Sequence, residues 1–458
     1  MEVFYFMKEY ISESDLLRFA EAFDADPVNA IAMNAAVENG IVEAAKDSAS
    51  AAKYLHAYSV NVESGDVCNQ KQSGRCWMFA ALNVMRLEVM KKLNIKNMEL
   101  SQAYPLFWDK LEKSNYFLEN ILDTLDEPQD SRVIAWLVQD PVGDGGQWDM
   151  FRSLVAKYGV VPKDIYPESK ASSATRDMKK YLTTKLREFA CTLRTAHEQG
   201  CPMEELRAKK DEMMDTVYRM LCISLGKPPV RFTWETADKD GKFIRVADIT
   251  PQEFYQQYVG LDLDDYVTVI NAPTKDKPYG RTFTVQCLGS VRNGKYPVKY
   301  LNLPVEELKR LAIAQLKNGE TVWFGSDVGQ FHDREKGLLS TDGIRLDKLF
   351  GTSFPMTKEQ RLNYGESLMT HAMVLTGVNL TKDQDGNEVP DRWRVENSWG
   401  EERGDKGYYC MSDEWFSEFV YQILLNRKYF TDEQAAQFDQ DPIQLKPWDP
   451  MGSLATVR

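Results

Sequence analysis

The chain has 458 residues, 56 of them Lys or Arg against 69 Asp or Glu, for a formal charge of −13 at neutral pH. That balance argues against an unaided electrostatic grip on nucleic acid or an anionic membrane, and no run approaches the roughly 18 uninterrupted apolar residues that a membrane-spanning helix needs. The length exceeds the ~100–200 residues of one domain, so a core with substantial additions is expected.

The first ten residues, Met1 to Tyr10, carry no positive leader and only a short apolar patch, poor material for a secretory signal. From Ser12 to about Ala52 the composition predicts short surface helices, with Ser12 and Ser14 as caps and Pro27 as a break. Residues 61–72 read as a polar loop. Gly74 then precedes Cys76 by two positions, and the following run is apolar on nearly every side, which predicts a tight turn feeding a buried helix with Cys76 in its first turn. A helix N-terminus favours a thiolate, and its unpaired amides suit a developing oxyanion, so Cys76 is the candidate nucleophile. Gln70, six residues earlier, offers a side-chain N–H to the same oxyanion.

Residues 100–140 predict two helices, around Phe107-Trp108 and Ile121-Leu122, and a third from Val133 to Leu137. Gly145 and Gly146 permit close backbone approach, useful where an extended peptide lies along a cleft wall. Met178, Leu182, Leu186, Phe189 and Leu193 recur at helical spacing within a long helical region that ends near Leu225. A hairpin follows around Asp240-Gly241, and Thr250 with Pro251 opens another helix. Beyond Asp265 the pattern alternates between strand candidates at 266–271, 281–286 and 321–326 and a helix from Val305 to Leu316.

Histidine occurs only at 56, 197, 332 and 371. His371 heads an apolar strand-like run, and Asn397 ends a second one, where its amide oxygen would orient the imidazole while Trp399 screens that bond from water. His332 is the rival base. A polar connection is expected over 380–391, with Asp385-Gly386 as its turn. The seven cysteines, at 68, 76, 191, 201, 222, 287 and 410, are scattered without metal-ligand spacing, so they read as reduced thiols, no metal centre is expected, and only Cys76 has chemical partners.

Gln70, Ser73-Gly74-Arg75-Cys76-Trp77, His371 and Asn397-Ser398-Trp399-Gly400 stand in the order and local context of papain-like cysteine peptidases. The forms around Asn69, Leu100 to Lys113, Asp144 to Asp149 and Trp448 to Gly452 resemble the bleomycin hydrolase and aminopeptidase C branch. The resemblance implies an α+β, papain-like two-lobe fold, helical in one lobe and β-rich in the other, with a large mainly helical insertion and an N-terminal arm. Roughly 300 positions separate Cys76 from His371, against ~130–150 in papain-type enzymes, and that excess is the insertion. The corresponding divisions are an arm over 1–60, a first lobe over 61–170, the insertion over 171–264, a second lobe over 265–445 and a C-terminal arm over 446–458.

The resemblance further implies a cysteine aminopeptidase with a Cys76-His371-Asn397 site and a thioester intermediate, needing no cofactor and acting on peptides with a free N-terminus. Bleomycin-like amides come within its range. It places Gly145, Gly146, Trp399 and the terminal Arg458 among the substrate-facing residues, with the C-terminal arm in the cleft and the terminus fixing the substrate's α-amino group. Relatives tend to stop at or just beyond the position of Ala455, so the three residues after it are expected to be trimmed or to change how much substrate fits. Secreted papain relatives carry a disulfide Cys where this chain has Ser73, so a cytoplasmic location is expected, as is a homohexamer with its sites facing an internal chamber. The competing readings are an open-cleft endopeptidase and a non-catalytic peptide-binding assembly protein.

Overall fold

A computed structural model describes residues 9–456. Two helices, Glu13–Asp24 and Pro27–Asn39, come first. Ser12 caps the first in a reciprocal pair with Asp15, and Asp26 with Pro27 starts the second; Ser14, the other expected cap, lies inside the first helix. Neither helix buries a residue, and Leu16, Leu17, Phe19, Ile31 and Val37 stand exposed.

The Cys76–Leu93 helix is the centre of the helical half. Trp77, Met78, Phe79, Ala81, Leu82, Met85 and Val89 are all buried, as expected of a helix that is apolar around its whole circumference. The Trp148–Tyr158 helix packs against it and against Ala103–Asp123. That last element corrects the expectation of two helices: no breaker separates Phe107 from Ile121, and Pro105 sits in the first turn, where a missing N–H costs nothing. The expected third helix is present as Arg132–Gln139.

Two 23-residue helices, Arg176–Glu198 and Met203–Leu225, pack on each other and on Ala103–Asp123. Met178, Leu182, Leu186 and Leu193 form the buried stripe of the first. A hairpin of Phe232–Ala237 and Phe243–Ile249 turns through Asp240-Gly241, with Gly241 at φ +81°. Thr250 and Glu253 form a capping box, but the helix they open, Pro251–Phe254, is short and widens into a π turn over Tyr255–Val259.

The other half is built on a twelve-stranded sheet. At its centre Tyr266–Ile270, Val420–Asn426, Val322–Ser326, His371–Lys382, Glu388–Glu396 and Tyr408–Ser412 lie side by side, each antiparallel to the next. The first three are buried along their whole length, with the Val305–Lys317 helix packed behind. The polar connection expected over 380–391 is mostly strand: Thr381 pairs with Val389 and Lys382 with Glu388, leaving a short turn closed by Asp383 accepting from the Asp385 and Asn387 N–H groups. Polar residues do not end pairing there because the hairpin tip is exposed on both faces. Among the described residues no helix is long and apolar enough to cross a membrane.

This hairpin positions the candidate base. His371 is the first residue of one strand and Asn397 immediately follows the last residue of its antiparallel neighbour, so both emerge at the same end of the sheet.

Candidate active site

Cys76 is the first residue of its helix, and the loop before it is held from three sides. Ser73 donates its hydroxyl to the Gln70 carbonyl, and the Gln70 side-chain N–H donates back to the Ser73 carbonyl, both at 2.6 Å. The buried Arg75 guanidinium forks onto both oxygens of Glu168 at 2.9 Å and donates Nε–H to the Ser73 hydroxyl. Arg75 therefore shapes the turn. From the sheet, the Ser398 hydroxyl donates to Gln70 Oε1 at 2.6 Å and the Ser398 carbonyl accepts from the Gln70 backbone N–H at 2.8 Å. One Nε2 hydrogen of Gln70 is taken by Ser73; an amide nitrogen carries two, and Gln70 lines the cleft that contains the sulfur.

The Cys76 sulfur is met by the backbone N–H groups of Ala372, Trp77 and Cys76 itself. Ala372 directly follows His371, so the sulfur lies against the start of the histidine's strand, and Cys76 and His371 line one cleft of about 360 Å³. His371 Nε2 lies 2.9 Å from Asn397 Oδ1. The Ser398 N–H donates to that same Asn397 atom at 2.7 Å, so it is an oxygen, and Nε2 must carry the proton it shares. That tautomer leaves the Nδ1 lone pair for a thiol. Burial pushes the thiol up to about 11 against those three N–H groups. It pushes the imidazole down to about 4, Asn397 opposing and Arg334 reinforcing. Burial thus disfavours a lone charge on either group, and the two titrate as a coupled pair in which each charge is the other's counter-ion.

Trp399 covers the histidine with ring centroids 4.7 Å apart and also stacks on His332 at 5.6 Å. It does not line the cleft, so its place is over the imidazole. His332, the rival base, is buried against that indole with both ring nitrogens unpartnered, and burial takes its pKa down to about 3. A larger cavity of about 860 Å³ lies on the His332 side, bounded by Arg334, Phe354 and Phe419, and contains no cysteine.

The two glycines differ. Gly145 lines the cleft, but a Cβ there would stand 2.1 Å from the Leu454 carbonyl oxygen, because the chain's own C-terminal segment runs past it. Gly146 points inward, and a Cβ would meet the Trp77 indole at 2.5 Å. The segment is anchored by Ser453 Oγ donating to the Met369 carbonyl, by Gln147 Nε2 donating to the Met451 carbonyl, and by the Lys277–Asp449 ion pair at 2.9 Å. Leu454 is thereby brought to the wall of the cleft. Arg458 lies outside the described residues.

Sequence reasoning gave no role to Asp109, Lys110 and Lys113. Both lysines are buried beneath the glycine loop: Lys110 Nζ donates to the Val142 and Gly143 carbonyls and pairs with Asp144 at 2.8 Å, while Lys113 Nζ donates to the Gly143 and Gly145 carbonyls. Their signal was available, since they fall at helical spacing between the buried Leu106 and Phe117. Thr175, Arg176 and Lys179 also line the cleft, and the sequence shows them only as the start of a long helical region.

A family model described as the peptidase C1-like family matches residues 10–452. Aminopeptidase C from Lactobacillus delbrueckii subsp. lactis is 46% identical over 452 residues, covering 98% of this chain and 99% of that protein. Bleomycin hydrolase from Homo sapiens is 43% identical over 442 residues, covering 95% and 96%. The crystal structure of PepW from Lactobacillus rhamnosis HN001 is similar with a TM-score of 0.94 at 48% identity, covering 97% of this chain and 99% of that one.

Proposed function

The chain belongs to the peptidase C1-like family, and from that premise we propose that it removes N-terminal residues from peptides through a thioester on Cys76. His371 Nδ1 takes the thiol proton as the sulfur attacks the carbonyl carbon, and the carbonyl electrons move onto oxygen. The Cys76 N–H and the second Nε2 hydrogen of Gln70 receive that oxyanion. As the carbon–nitrogen bond breaks, His371 passes its proton to the departing amine. Water then gives a proton to His371 while its oxygen attacks the thioester, and the expelled sulfur recovers the proton. Asn397 holds the imidazole in the tautomer that this sequence requires throughout. None of these steps calls for a cofactor.

The observation that carries the exopeptidase reading is Leu454 in the wall of the cleft, seated against Gly145 by the anchored C-terminal segment. A peptide that must pass Cys76 while its far end is obstructed is cut near its start. The test compares a peptide with a free α-amino group and its N-acetyl form. Equal kcat/KM for the two would overturn the reading in favour of an endopeptidase, and cleavage confined to the free form is the expected result. The same acyl transfer extends the proposal to bleomycin-like amides, the substrate in the human relative's name.

We further propose a cytoplasmic homohexamer. All seven cysteines are free, which suits a reducing compartment. The Glu13–Asp24 and Pro27–Asn39 helices bury nothing within the chain, and helices this apolar call for a covering surface that further copies would supply. Light scattering on the purified chain reads the assembly, and a monomer at micromolar concentration would refute it.

A further inference from the structure

We propose that Arg176 and Lys179, from the first turns of the insertion's leading helix, select substrates whose N-terminal residue carries an acidic side chain. This rests on the aminopeptidase reading and names a substrate class for the same site.

The wall beside Cys76 is continuous with the insertion. Gln72 exchanges backbone bonds with Ser173 and Thr175, its N–H donating to the Ser173 carbonyl and its carbonyl accepting from the Thr175 N–H, which fixes the start of the Arg176–Glu198 helix beside the nucleophile loop. The Gly74 N–H and the Thr175 hydroxyl both donate to Asp144 Oδ2. Gly74, Asp144, Thr175, Arg176 and Lys179 accordingly line the same cleft as Cys76. With Leu454 at one end and the acyl carbon over the sulfur, this wall is the one that the first residue's side chain meets.

Its charge is positive. Asp144 is the acidic residue of that wall, and its carboxylate is already taken by Lys110 at 2.8 Å and by the Gly74 and Thr175 donors. Asp177, the acid in the helix's first turn, lines a different hollow, with Tyr181 and Met220. Glu168 is held by Arg75 and Ser172. Among the described residues neither Arg176 nor Lys179 makes a close ion pair; Lys179 feels the Asp144 carboxylate at longer range, and that carboxylate is held directly by Lys110. In a chain of net charge −13, the cleft mouth is cationic.

The helix forgoes local stability to hold this arrangement. Cations in a first turn oppose the helix dipole. Thr175, at the N-cap, makes no capping bond because its hydroxyl is turned to Asp144. Departures from local preference of this kind concentrate where a surface has a task.

The experiment measures kcat/KM for Glu- and Gln-aminomethylcoumarin, which differ in charge with almost no change of shape, on the full chain and on an Arg176→Glu/Lys179→Glu variant, with Leu-aminomethylcoumarin as reference. Solvent-exposed pairs contribute roughly two- to five-fold each, so the Glu-to-Gln ratio is expected to fall by about ten-fold in the reversed variant. Arg176→Lys/Lys179→Arg should retain it, and raising salt from about 0.02 to 0.3 M should shrink it. A ratio unchanged by charge reversal overturns the proposal. Failure to hydrolyse any free-amino substrate is instead a failure of the aminopeptidase reading. In that event, calorimetry of Glu-Ala-Ala against Gln-Ala-Ala on a Cys76→Ser chain and its charge-reversed form still decides the charge question, equal affinities for both peptides in both forms refuting it.

Discussion

Replacing Gly145 with alanine tests whether the C-terminal segment sets the cleft's specificity. The new Cβ would lie 2.1 Å from the Leu454 carbonyl oxygen, 3.0 Å from the Ala455 Cα and 3.1 Å from its carbonyl carbon. All three are backbone atoms, so no rotamer change relieves the contact, and the segment must retreat by about 1 Å to restore ordinary van der Waals separation. Overpacking of this kind costs about 1–3 kcal/mol. It falls on the docked arrangement, since the anchors at Asp449 and Met451 precede the clash and allow the last turn to lift away from the cleft without unfolding the body. A bias of that size shifts a two-state equilibrium roughly 5- to 150-fold towards the lifted form. The Gly145→Ala variant should therefore cleave N-acetylated peptides at least five-fold better relative to free-amino peptides than the parent does. Taking the ratio of the two kcat/KM values cancels any general loss from a damaged backbone contact to substrate. An unchanged ratio, with the protein folded, would show that the segment does not control access.

Gly146→Ala should behave differently, because its Cβ meets the buried Trp77 indole: a loss of roughly 1–3 kcal/mol in urea unfolding, with the free-to-acetylated ratio unmoved. Arg334 adds to burial in holding His371 down, so Arg334→Gln should raise that pKa and move the acid limb of kcat/KM to higher pH; a superimposable limb would exclude that influence. In the parent, protonating His371 as pH falls towards 4 removes the base while Cys76 is still a thiol, and deprotonating the thiol as pH rises towards 11 removes the proton owed to the leaving amine. The profile should therefore be bell-shaped with a plateau through neutrality. Arg86→Met would strand the Glu396 carboxylate, buried 2.7 Å from that guanidinium, and should cost about 3–5 kcal/mol by chemical denaturation; a loss under about 1 kcal/mol would mean that the carboxylate is neutral in the parent.

The helical periodicity around Met178, Leu182 and Leu186 and the alternation of strand and helix candidates after Asp265 were readable because each reports the burial of a single element against its neighbours. Boundaries failed where tertiary pairing overrode composition, as in the hairpin tip whose polar residues remain in register through Lys382 and Glu388. Gly145 and Gly146 looked alike in sequence because both need close approach. Only the fold distinguishes the one pressed on a passing backbone from the one pressed on an indole. For Lys110 and Lys113 only the burial was legible, from their helical spacing with Leu106 and Phe117; nothing local reveals that their partners are carbonyls of a loop some thirty residues away.

The distance between Cys76 and His371 in the chain is overcome by bonds that cross between the halves, not by either half alone. Arg86 and Asn83, on the nucleophile helix, both donate to Glu396, the residue before Asn397, so the helix is fastened to the strand that presents the orienting amide. Trp323, on a central strand, donates its indole N–H to the carbonyl of Trp77, the residue after Cys76. Gln70 and Ser398 exchange bonds on the remaining side. Each crossing bond joins a residue within a few positions of the sulfur, or one further along its helix, to the sheet that carries the imidazole and its amide. A rotation of one half against the other would break several buried polar pairs at once, and each group left unsatisfied costs about 1–3 kcal/mol. The chain between Cys76 and His371 can therefore be long without loosening their alignment, since the connection that positions the two side chains runs through the interface and not along the chain.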